Sequence, residues 1–316
     1  MRERLAGCAG GSRRGSSSLV RHLIQCHMHF TIITPNLNYG RFLHDCLASV
    51  ASQQQIIPPD QDEPRAESPQ PLGVTVEHLV MDGGSTDGSA EVAAAFPHVI
   101  WTSEADAGMS DAINKGFARA RGDWVMWLNA DDRLKPGALA AMVPWLERSR
   151  ADVVYGDWDF VNEAGGLLRT VRVPRWSVFV HVHHHCYVGS TAAFYRRGSV
   201  LAEGYLLRRD FRYVMDGEFY ARLAAAGKRF DHVAVNVADF RMHGDNASQR
   251  HLGKTRDMET ILAAERQHVE SRAIRRAYGI TLFKDPYLNG LIDGILWIAA
   301  KGWKAVLRFF SILMFR

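Results

Sequence analysis

Residues 74–88 read VTVEHLVMDGGSTDG, an apolar run that passes at Asp82 into a loop of glycine, serine and acid. A second apolar run, Trp124 to Leu128, is followed in the same way by the segment Asn-Ala-Asp-Asp at residues 129–132. Both runs are typical of buried strands. Because ligands of an open α/β sheet bind beyond the carboxyl ends of its strands, acids at these ends converge on one crevice. The sequence therefore predicts an enzyme site suited to a nucleotide and its metal ion.

Strand and helix patterns alternate along the first half of the chain. Apolar, β-branched runs predict strands, and apolar residues at helical spacing predict helices. The predicted strands are Phe30 to Thr34, Val74 to Met81, His98 to Thr102 and Trp124 to Leu128, and the predicted helices are Arg41 to Gln54, Ser89 to Phe96, Asp111 to Arg121 and Pro136 to Arg148. This alternation predicts an α/β fold with a mainly parallel, Rossmann-like sheet flanked by helices.

Beyond about residue 150 the pattern changes. Val153 to Phe160 and Leu167 to Val173 flank a glycine-containing turn and predict a β-hairpin. A further helix is predicted from Met215 to Ala226. These elements predict a mixed half that completes the cleft and holds the second substrate.

Composition excludes several classes of protein. The chain has 316 residues, of which 47% are hydrophobic, so most of it is not intrinsically disordered. The net charge is only +4, which excludes a dedicated nucleic-acid binder, and no nucleic-acid partner is expected. The four cysteines show no Cys-x-x-Cys spacing, which disfavours a disulfide framework and a zinc ribbon. A reducing, cytoplasmic location fits best.

Two segments are predicted to lie outside the folded core. Residues 1–27 are rich in arginine, glycine and serine without an uninterrupted apolar segment, so they predict a disordered tail rather than a signal peptide. Met28 directly precedes the first strand, so either Met28 is the true translation start or the tail is a natural flexible arm. Pro58 to Gly73 is rich in proline and polar residues and predicts an exposed loop.

Four motifs occur in a fixed order: Thr34-Pro35-Asn36, the loop at residues 82–88, the stretch Glu-Ala-Asp-Ala-Gly-Met-Ser-Asp-Ala-Ile-Asn-Lys-Gly at residues 104–116, and Leu-Asn-Ala-Asp-Asp at residues 128–132. Together they resemble the family 2 glycosyltransferases of the GT-A fold, of the bacterial envelope or exopolysaccharide type. The resemblance covers roughly residues 28–250. It implies an inverting transferase that moves a sugar from a nucleotide-sugar donor, with a UDP-sugar expected, to a hydroxyl of a glycan or lipid-linked saccharide.

The resemblance also assigns residues to the donor. The residues that it places against the nucleotide are Thr34, Pro35, Asn36, Asp82 and Asp106, with Asn129 as a further contact to the ribose or to a metal. Asn129 stands where a strict Asp-x-Asp triplet has its first acid, and this leaves its role open.

A divalent metal, Mg²⁺ or Mn²⁺, is the expected cofactor. A departing diphosphate must be stabilised, which a cation held by hard oxygen ligands does without proton transfer. Asp131 is the first choice as ligand, while the neighbouring Asp132 either joins it or caps the helix predicted from Pro136. By resemblance, His243 in the segment Phe-Arg-Met-His at residues 240–243 is a further ligand; the alternative is a surface histidine.

An inverting transfer needs a base for the acceptor hydroxyl. By resemblance Asp216, at the start of the helix predicted from Met215, is that base and Glu218 is the alternate. Acids are also favourable in any first helical turn, which is the competing interpretation. The histidine-rich segment from His181 to Cys186 fits no zinc spacing, and one or two of its histidines are expected to contact the acceptor.

Residues 251–316 are predicted to form a helical extension. From residue 287 to 316, Lys301, Lys304 and Arg308 share one stripe of an amphipathic helix, and they interrupt it too often for a membrane-spanning segment. This pattern predicts a helix lying peripherally on the inner face of the cell membrane. The alternative is a helix docked on the catalytic core or on a second subunit.

Two other functions compete with glycosyl transfer. A nucleotidyltransferase of similar sheet topology would need a glycine-rich first loop that contains arginine. The first loop here, Pro35-Asn36-Leu37-Asn38, contains neither glycine nor arginine. A catalytically inactive sugar-nucleotide-binding or scaffold protein would lack a base, whereas Asp216 is present.

Overall fold

A computed structural model describes residues 28–53, 73–244, 246, 258–279 and 295–307. The predicted tail at residues 1–27 and almost all of the predicted loop from Pro58 to Gly73 lie outside the described residues. So do the ends of the predicted membrane-surface helix.

Within the described residues the chain forms nine strands and eight α-helices. The strands are β1 (Met28–Asn36), β2 (Val74–Asp82), β3 (Val99–Ser103), β4 (Trp124–Trp127), β5 (Arg133–Leu134), β6 (Val153–Asn162), β7 (Leu167–Val171), β8 (Ala193–Arg196) and β9 (Phe230–Met242). The helices are α1 (Gly40–Ala51), α2 (Ser89–Ala94), α3 (Met109–Arg119), α4 (Ala138–Arg148), α5 (Val178–His183), α6 (Met215–Ala225), α7 (Met258–Tyr278) and α8 (295–307).

All nine strands join one sheet, in the order β3-β2-β1-β4-β8-β6-β9-β5, with β7 paired to β6. The first four strands are parallel, as the alternating pattern predicted. Asn36 at the end of β1 lies opposite Asp82, which lies opposite Ser103 at the end of β3. The carboxyl ends of three strands therefore open on the same crevice, and the predicted α/β class is confirmed.

Apolar layers cover both faces of the parallel part. One layer joins Ile33 of β1 to Phe117 of α3 and Phe219 of α6, with Trp127 and Tyr195 stacked in parallel at 5.1 Å between ring centroids. The other layer packs β1, β2 and β4 against α4. Because β4 is buried on both faces, its residues are continuously apolar instead of alternating.

The second half of the chain is mixed, as predicted. β6 and β7 form the predicted antiparallel hairpin, in which the N–H of Asn162 donates to the carbonyl of Gly166 at 2.8 Å. The sequence analysis missed β9, which pairs in parallel with β6 over most of its length. β9 ends at Met242, directly beside the predicted ligand His243, and so brings the end of the catalytic domain back to the crevice.

Helices α5, α6 and α7 pack together beside the mixed half of the sheet. α7 and α8 lie in the predicted C-terminal extension. No helix among the described residues is both long enough and apolar enough to cross a bilayer.

Candidate active site

The loop after β2 is organised around the buried carboxylate of Asp82. One oxygen accepts from the N–H groups of Gly84 at 3.1 Å and Ser85 at 3.0 Å and from the hydroxyl of Ser103 at 2.6 Å. The other accepts from the hydroxyl of Ser85 and from Nδ2 of Asn36. Burial alone would raise the pKa of Asp82, but the side-chain hydrogen bonds from Ser103, Ser85 and Asn36 hold it below its ordinary value. Asp82 therefore stays ionised and fixes the shape of the loop.

The three residues at the end of β1 differ in what they offer a nucleotide. Thr34 is fully buried, and its hydroxyl contacts Nε2 of His78 at 3.0 Å and Sγ of Cys46 at 3.8 Å. Its side chain thus faces the interior, and Thr34 could meet a ligand only through its backbone, as could the buried Pro35. Asn36 is different, since its buried Oδ1 has no hydrogen-bond partner among the described residues.

Asp106 lies in the loop after β3, where its Oδ1 accepts from the N–H of Gly108 at 2.7 Å. A Cβ atom added to Gly83 would stand 2.6 Å from Oδ2 of Asp106, well inside van der Waals contact. With glycine at position 83, the carboxylate of Asp106 can lie directly against the loop after β2. As a result Asp82 and Asp106, which are separated in sequence, border one crevice.

The segment at residues 129–132 is held from beneath by Asp132. Its carboxylate is buried and accepts from the N–H of Arg241 at 3.0 Å and from Nδ2 of Asn129 at 3.0 Å. Burial and the adjacent charge of Asp131 both raise the pKa of Asp132. The interpretation of Asp132 as a helix cap is wrong, because α4 begins only at Ala138 and has no side-chain cap.

Asp131 and His243 meet although 112 positions separate them. Oδ2 of Asp131 lies 2.9 Å from Nε2 of His243 and accepts from Nδ2 of Asn246 at 3.1 Å. The imidazole of His243 is buried and packs on the ring of Phe42, with 4.6 Å between centroids. The amide Oδ1 of Asn129 nearby in the chain is buried without a partner among the described residues.

Asp131 and His243 supply two ligand atoms of the kinds that bind a divalent cation. Within the described part of the chain, no group of three or more His, Cys, Asp or Glu side chains is arranged to hold a metal. A carboxylate oxygen from Asp131 and an imidazole nitrogen from His243 do lie 2.9 Å from each other. Mg²⁺ sites in nucleotide enzymes commonly use one or two carboxylates and complete the coordination shell with phosphates and water. The donor set therefore fits a cation that arrives with a diphosphate.

Asp216 stands at the amino-terminal end of α6. Its Oδ1 accepts from the N–H of Gly217 at 2.7 Å, and its Oδ2 lies 4.0 Å from Sγ of Cys186. Burial raises the pKa of Asp216, which suits a group that must accept a proton. The hydroxyl of Ser110 in α3 contacts Sδ of Met215 at 2.9 Å, so the start of α6 lies against the start of the helix that follows Asp106.

Glu218, the alternate base, has a different environment. It is fully buried, and Arg222 donates to its two oxygens at 2.9 and 3.1 Å. The phenol of Tyr278 in α7 donates to Oε1 at 3.0 Å. With its oxygens so engaged, Glu218 joins α6 to α7. Among the described residues, Oδ2 of Asp216 has only the thiol of Cys186, 4.0 Å away, as a hydrogen-bonding neighbour.

Comparison with known proteins places this site in a family. The family model described as glycosyl transferase family 2 matches residues 31–197. The chain belongs to this family. Its motifs at residues 82–88, 104–116 and 128–132 all lie within the matched range. This membership gives no support to the alternative of a nucleotidyltransferase.

Named glycosyltransferases are among the relatives. The PGL/p-HBAD biosynthesis glycosyltransferase of Mycobacterium tuberculosis is 30% identical over 220 residues, which are 65% of this chain and 75% of that protein. The succinoglycan biosynthesis protein ExoO of Rhizobium meliloti is 26% identical over 166 residues, 49% of this chain and 48% of that protein. The chain is thus a glycosyltransferase with bacterial relatives.

Solved structures agree with the GT-A fold. S. aureus TarS in complex with UDP-GlcNAc superposes with a TM-score of 0.54 at 15% identity, over 86% of this chain and 79% of that one. The mannosyltransferase PcManGT from Pyrobaculum calidifontis, in complex with GDP-Man and Mn²⁺, has a TM-score of 0.50 at 15% identity, over 90% and 85% of the two chains. At such low identity the likeness shows the fold alone.

Two residues that contact Asp131 escaped the sequence analysis. Arg241, only 4% exposed, donates from Nε to the carbonyl of Asp131 at 2.9 Å and from Nη2 to Asp45 at 2.8 Å. Asn246 donates to Asp131 and accepts from the N–H of His243 at 2.6 Å. Their proximity to His243 in sequence was the only signal, and it does not reveal which of them face the site.

The histidine-rich segment of this glycosyltransferase is divided among several partners. Nε2 of His181 lies 2.8 Å from the carbonyl of Gly217, next to Asp216. His185 points elsewhere, with its Nε2 2.6 Å from Nζ of Lys304 in α8. His181 therefore supports the start of α6 from within, and the expected acceptor contacts remain a prediction.

Proposed function

We propose that this glycosyltransferase moves a sugar, with inversion at the anomeric carbon, from a nucleotide sugar to a hydroxyl of a glycan or lipid-linked saccharide. The observation that carries the proposal is the crevice at the ends of β1 to β4. Asp82 and Asp106 border one side of it, Asp131 and His243 meet at the other, and Asp216 heads a helix that contacts α3.

The donor is a nucleotide sugar, with a UDP-sugar as the expected one. Asn36 offers an amide oxygen that has no hydrogen-bond partner among the described residues, and the carboxylates of Asp82 and Asp106 suit the hydroxyls of a ribose. Thr34 and Pro35 would contribute backbone atoms. Fold neighbours were solved with UDP-GlcNAc and with GDP-Man, which is consistent with a nucleotide sugar but does not choose between the two nucleotides.

Asp131 and His243 would hold Mg²⁺ or Mn²⁺, with Asn129 close enough in sequence to contribute its unpaired amide oxygen. A cation bound there supplies positive charge against the leaving diphosphate. Asp132 keeps the loop in place from below, and its raised pKa limits the negative charge that Asp131 must tolerate nearby.

Asp216 would take the proton from the attacking acceptor hydroxyl. Its carboxylate lies at the head of α6, with one oxygen fixed by the N–H of Gly217 and the other facing Cys186. A fixed oxygen orients the carboxylate, and the second oxygen is left to accept the proton. The paired Glu218 serves the packing of α6 instead.

The relatives and the C-terminal helix support an acceptor class and a location for the enzyme. Relatives named for PGL/p-HBAD biosynthesis and for succinoglycan biosynthesis are consistent with acceptors in envelope glycolipids or polysaccharides. The C-terminal helix within residues 287–316 supports a peripheral position on the cytoplasmic face of the cell membrane.

Donor binding and metal use are tested together by thermal shift. Nucleotide sugars are added to the wild-type protein with and without Mn²⁺; a ligand at 100 times its Kd stabilises the folded state by about 2.7 kcal/mol. Asp131→Ala is expected to lose the Mn²⁺-dependent part of the shift and to lose transfer. Asp123→Ala, an exposed acid before the opposite end of β4, is the matched control. Full activity of Asp131→Ala would remove its assignment.

A further inference from the structure

Helix α8 docks on the catalytic core through Ala300, Lys304 and Leu307. Nζ of Lys304 lies 2.6 Å from Nε2 of His185 and 5.4 Å from the ring centroid of Tyr187. Ala300 is fully buried, and Leu307 packs on the main apolar cluster. Lys304, which the sequence placed on the basic stripe of the predicted helix, therefore contacts the core, as in the alternative of a docked helix.

The outward side of α8 is apolar. Ile298 is 67% exposed, Ile295 is 58% exposed and Trp303 is 50% exposed. The other exposed residues of the helix are Trp297, Ala299, Lys301, Gly302, Ala305 and Val306, of which only Lys301 is charged. A surface helix ordinarily docks its apolar side and turns its polar side to water. Because the outward side of α8 is mostly apolar as well, it suits an apolar phase.

Aromatic residues occupy the borders of this outward side. Trp297 is 39% exposed and meets the ring of His184 edge-on at 5.3 Å, and the ammonium of Lys301 lies 5.1 Å from its centroid. Half-exposed tryptophans beside a lysine are typical of the boundary between lipid headgroups and acyl chains.

A basic surface lies on α7, close to the same part of the core. Arg272 and Arg276, one turn apart and exposed, line an open cavity of about 590 Å³ together with Val269, Ala273 and Ala277. Among the described residues neither arginine has an acidic partner. Two unpaired guanidinium groups over an apolar floor match a phosphate attached to an apolar chain.

The two helices are neighbours through α5. The residue after α7, Gly279, approaches the ring of His183 so closely that an added Cβ would lie 3.1 Å from its Cε1. His184 and His185, which follow directly, hold α8. The end of α7 and helix α8 thus contact the same segment, His183 to His185.

We propose that α8 lies in the surface of an anionic bilayer. Its outward residues Ile295, Ile298 and Val306 enter the acyl boundary, while Lys301 and the arginines of α7 contact lipid phosphates. A second copy of the chain would also cover apolar residues, but it would leave the two guanidinium groups of the α7 cavity without counter-charge unless it supplied acids. An anionic membrane satisfies both features together.

The same segment connects this surface to the base. Cys186, next to His185, lies 4.0 Å from Oδ2 of Asp216. The segment that contacts α8 at His185 thus reaches the base at Cys186, and this connection favours a lipid-anchored saccharide over a free glycan as acceptor. This deeper assignment rests on the proposed function.

Vesicle flotation tests the docking. The full chain is mixed with vesicles of phosphatidylcholine alone or with added phosphatidylglycerol, and the wild type is expected to float with the anionic vesicles. Ile298→Glu/Trp303→Glu should lower the bound-to-free ratio about tenfold or more, since both side chains lose apolar burial. Arg272→Glu/Arg276→Glu should lower it mainly on anionic vesicles. The matched control is Leu167→Glu/Leu168→Glu on β7, where the two leucines are 64% and 56% exposed.

Three outcomes would overturn the proposal. In the first, the wild type binds neither vesicle type. In the second, the wild type is a dimer that Ile298→Glu/Trp303→Glu converts to a monomer. In the third, the control variant loses as much vesicle binding as the α8 variant. A wild type that binds vesicles but transfers sugar equally well to free and lipid-anchored acceptors would overturn the acceptor assignment. The thermal shift with nucleotide sugar is measured on every variant, so failure of docking with donor binding intact is distinguished from failure of the proposed function.

Discussion

At the scale of single residues, the site separates two acids that the sequence could not rank. Asp216 and Glu218 are two positions apart in the first turn of α6. Two positions along a helix correspond to a rotation of about 200°, so the side chains face opposite ways. Glu218 turns into the protein and meets Arg222 and Tyr278, while Asp216 turns toward Cys186.

Replacing Asp216 by Asn should separate binding from chemistry. The amide keeps the size of the side chain but cannot accept the proton, so kcat is expected to fall by roughly 10²–10⁴-fold with donor Kd near wild type. Because burial raises the pKa of Asp216 and the base acts unprotonated, wild-type kcat should decrease as pH falls through that raised pKa. Steady-state kinetics and donor titrations measure these quantities.

Asp210→Asn is the control for this variant, because Asp210 is an exposed acid six positions away that pairs with Arg208. It should leave kcat unchanged. If Asp216→Asn retained transfer and Glu218→Gln lost it while remaining folded, the base would be Glu218. If both retained it, the acids would be only first-turn charges.

At the scale of elements, β9 returns to the crevice and fixes the metal loop through one side chain. Arg241 near the end of β9 reaches the carbonyl of Asp131, the carbonyl of Glu163 at 2.6 Å and the carboxylate of Asp45. These acceptors come from the loop after β4, the β6–β7 turn and α1. A planar guanidinium can serve three diverging acceptors at once, which an ammonium cannot do with the same geometry.

Arg241→Lys should therefore loosen the metal loop. We expect the Mn²⁺ concentration for half-maximal activity to rise about 10–100-fold, the usual effect of losing a residue that orients a metal ligand. Arg169→Lys, an exposed arginine on β7 whose guanidinium lies over Phe160, is the control. Unchanged Mn²⁺ dependence in a folded Arg241→Lys protein would show that the loop at residues 129–132 keeps its position without the guanidinium group of Arg241.

At the scale of the whole molecule, buried histidines couple stability to pH. His78 is fully buried between Thr34 and His98, with 3.3 Å between the two imidazole nitrogens. His181 is buried beneath α6. Burial lowers the pKa of all three, that of His181 to about 4 from an ordinary 6.5.

Stability should accordingly fall as the solution is acidified from about pH 7.5 to about pH 5. A histidine whose folded pKa is lowered contributes its full stability above its unfolded pKa. That contribution is lost as pH falls from 6.5 toward the folded value. His181 alone should cost about 2 kcal/mol at pH 5.

Urea titrations at both pH values measure the free energy of unfolding. His181→Gln should reduce the loss by a similar amount, and replacement of the exposed His44 should not. Equal stability at the two pH values would contradict the buried, neutral state of these histidines.

The sequence by itself determined the strands of the parallel half and the acids at their ends. Both are local signals: β2 is mostly apolar and β4 continuously apolar because both strands are buried along their whole length, and an acid that follows such a run must lie at the crevice. The order of Asp82, Asp106 and Asp131 along the chain was enough to point to a nucleotide-dependent enzyme and to the family.

Only the tertiary structure decided which polar groups face one another. Arg241 and Asn246 meet Asp131 across more than a hundred positions, and no local pattern encodes such a contact. The direction in which a side chain points could not be predicted from the sequence either. Thr34 faces the core, and Lys304 of α8 contacts the core while Ile298 is exposed. Periodicity shows that an element has two sides, but packing of distant elements decides which of them is covered.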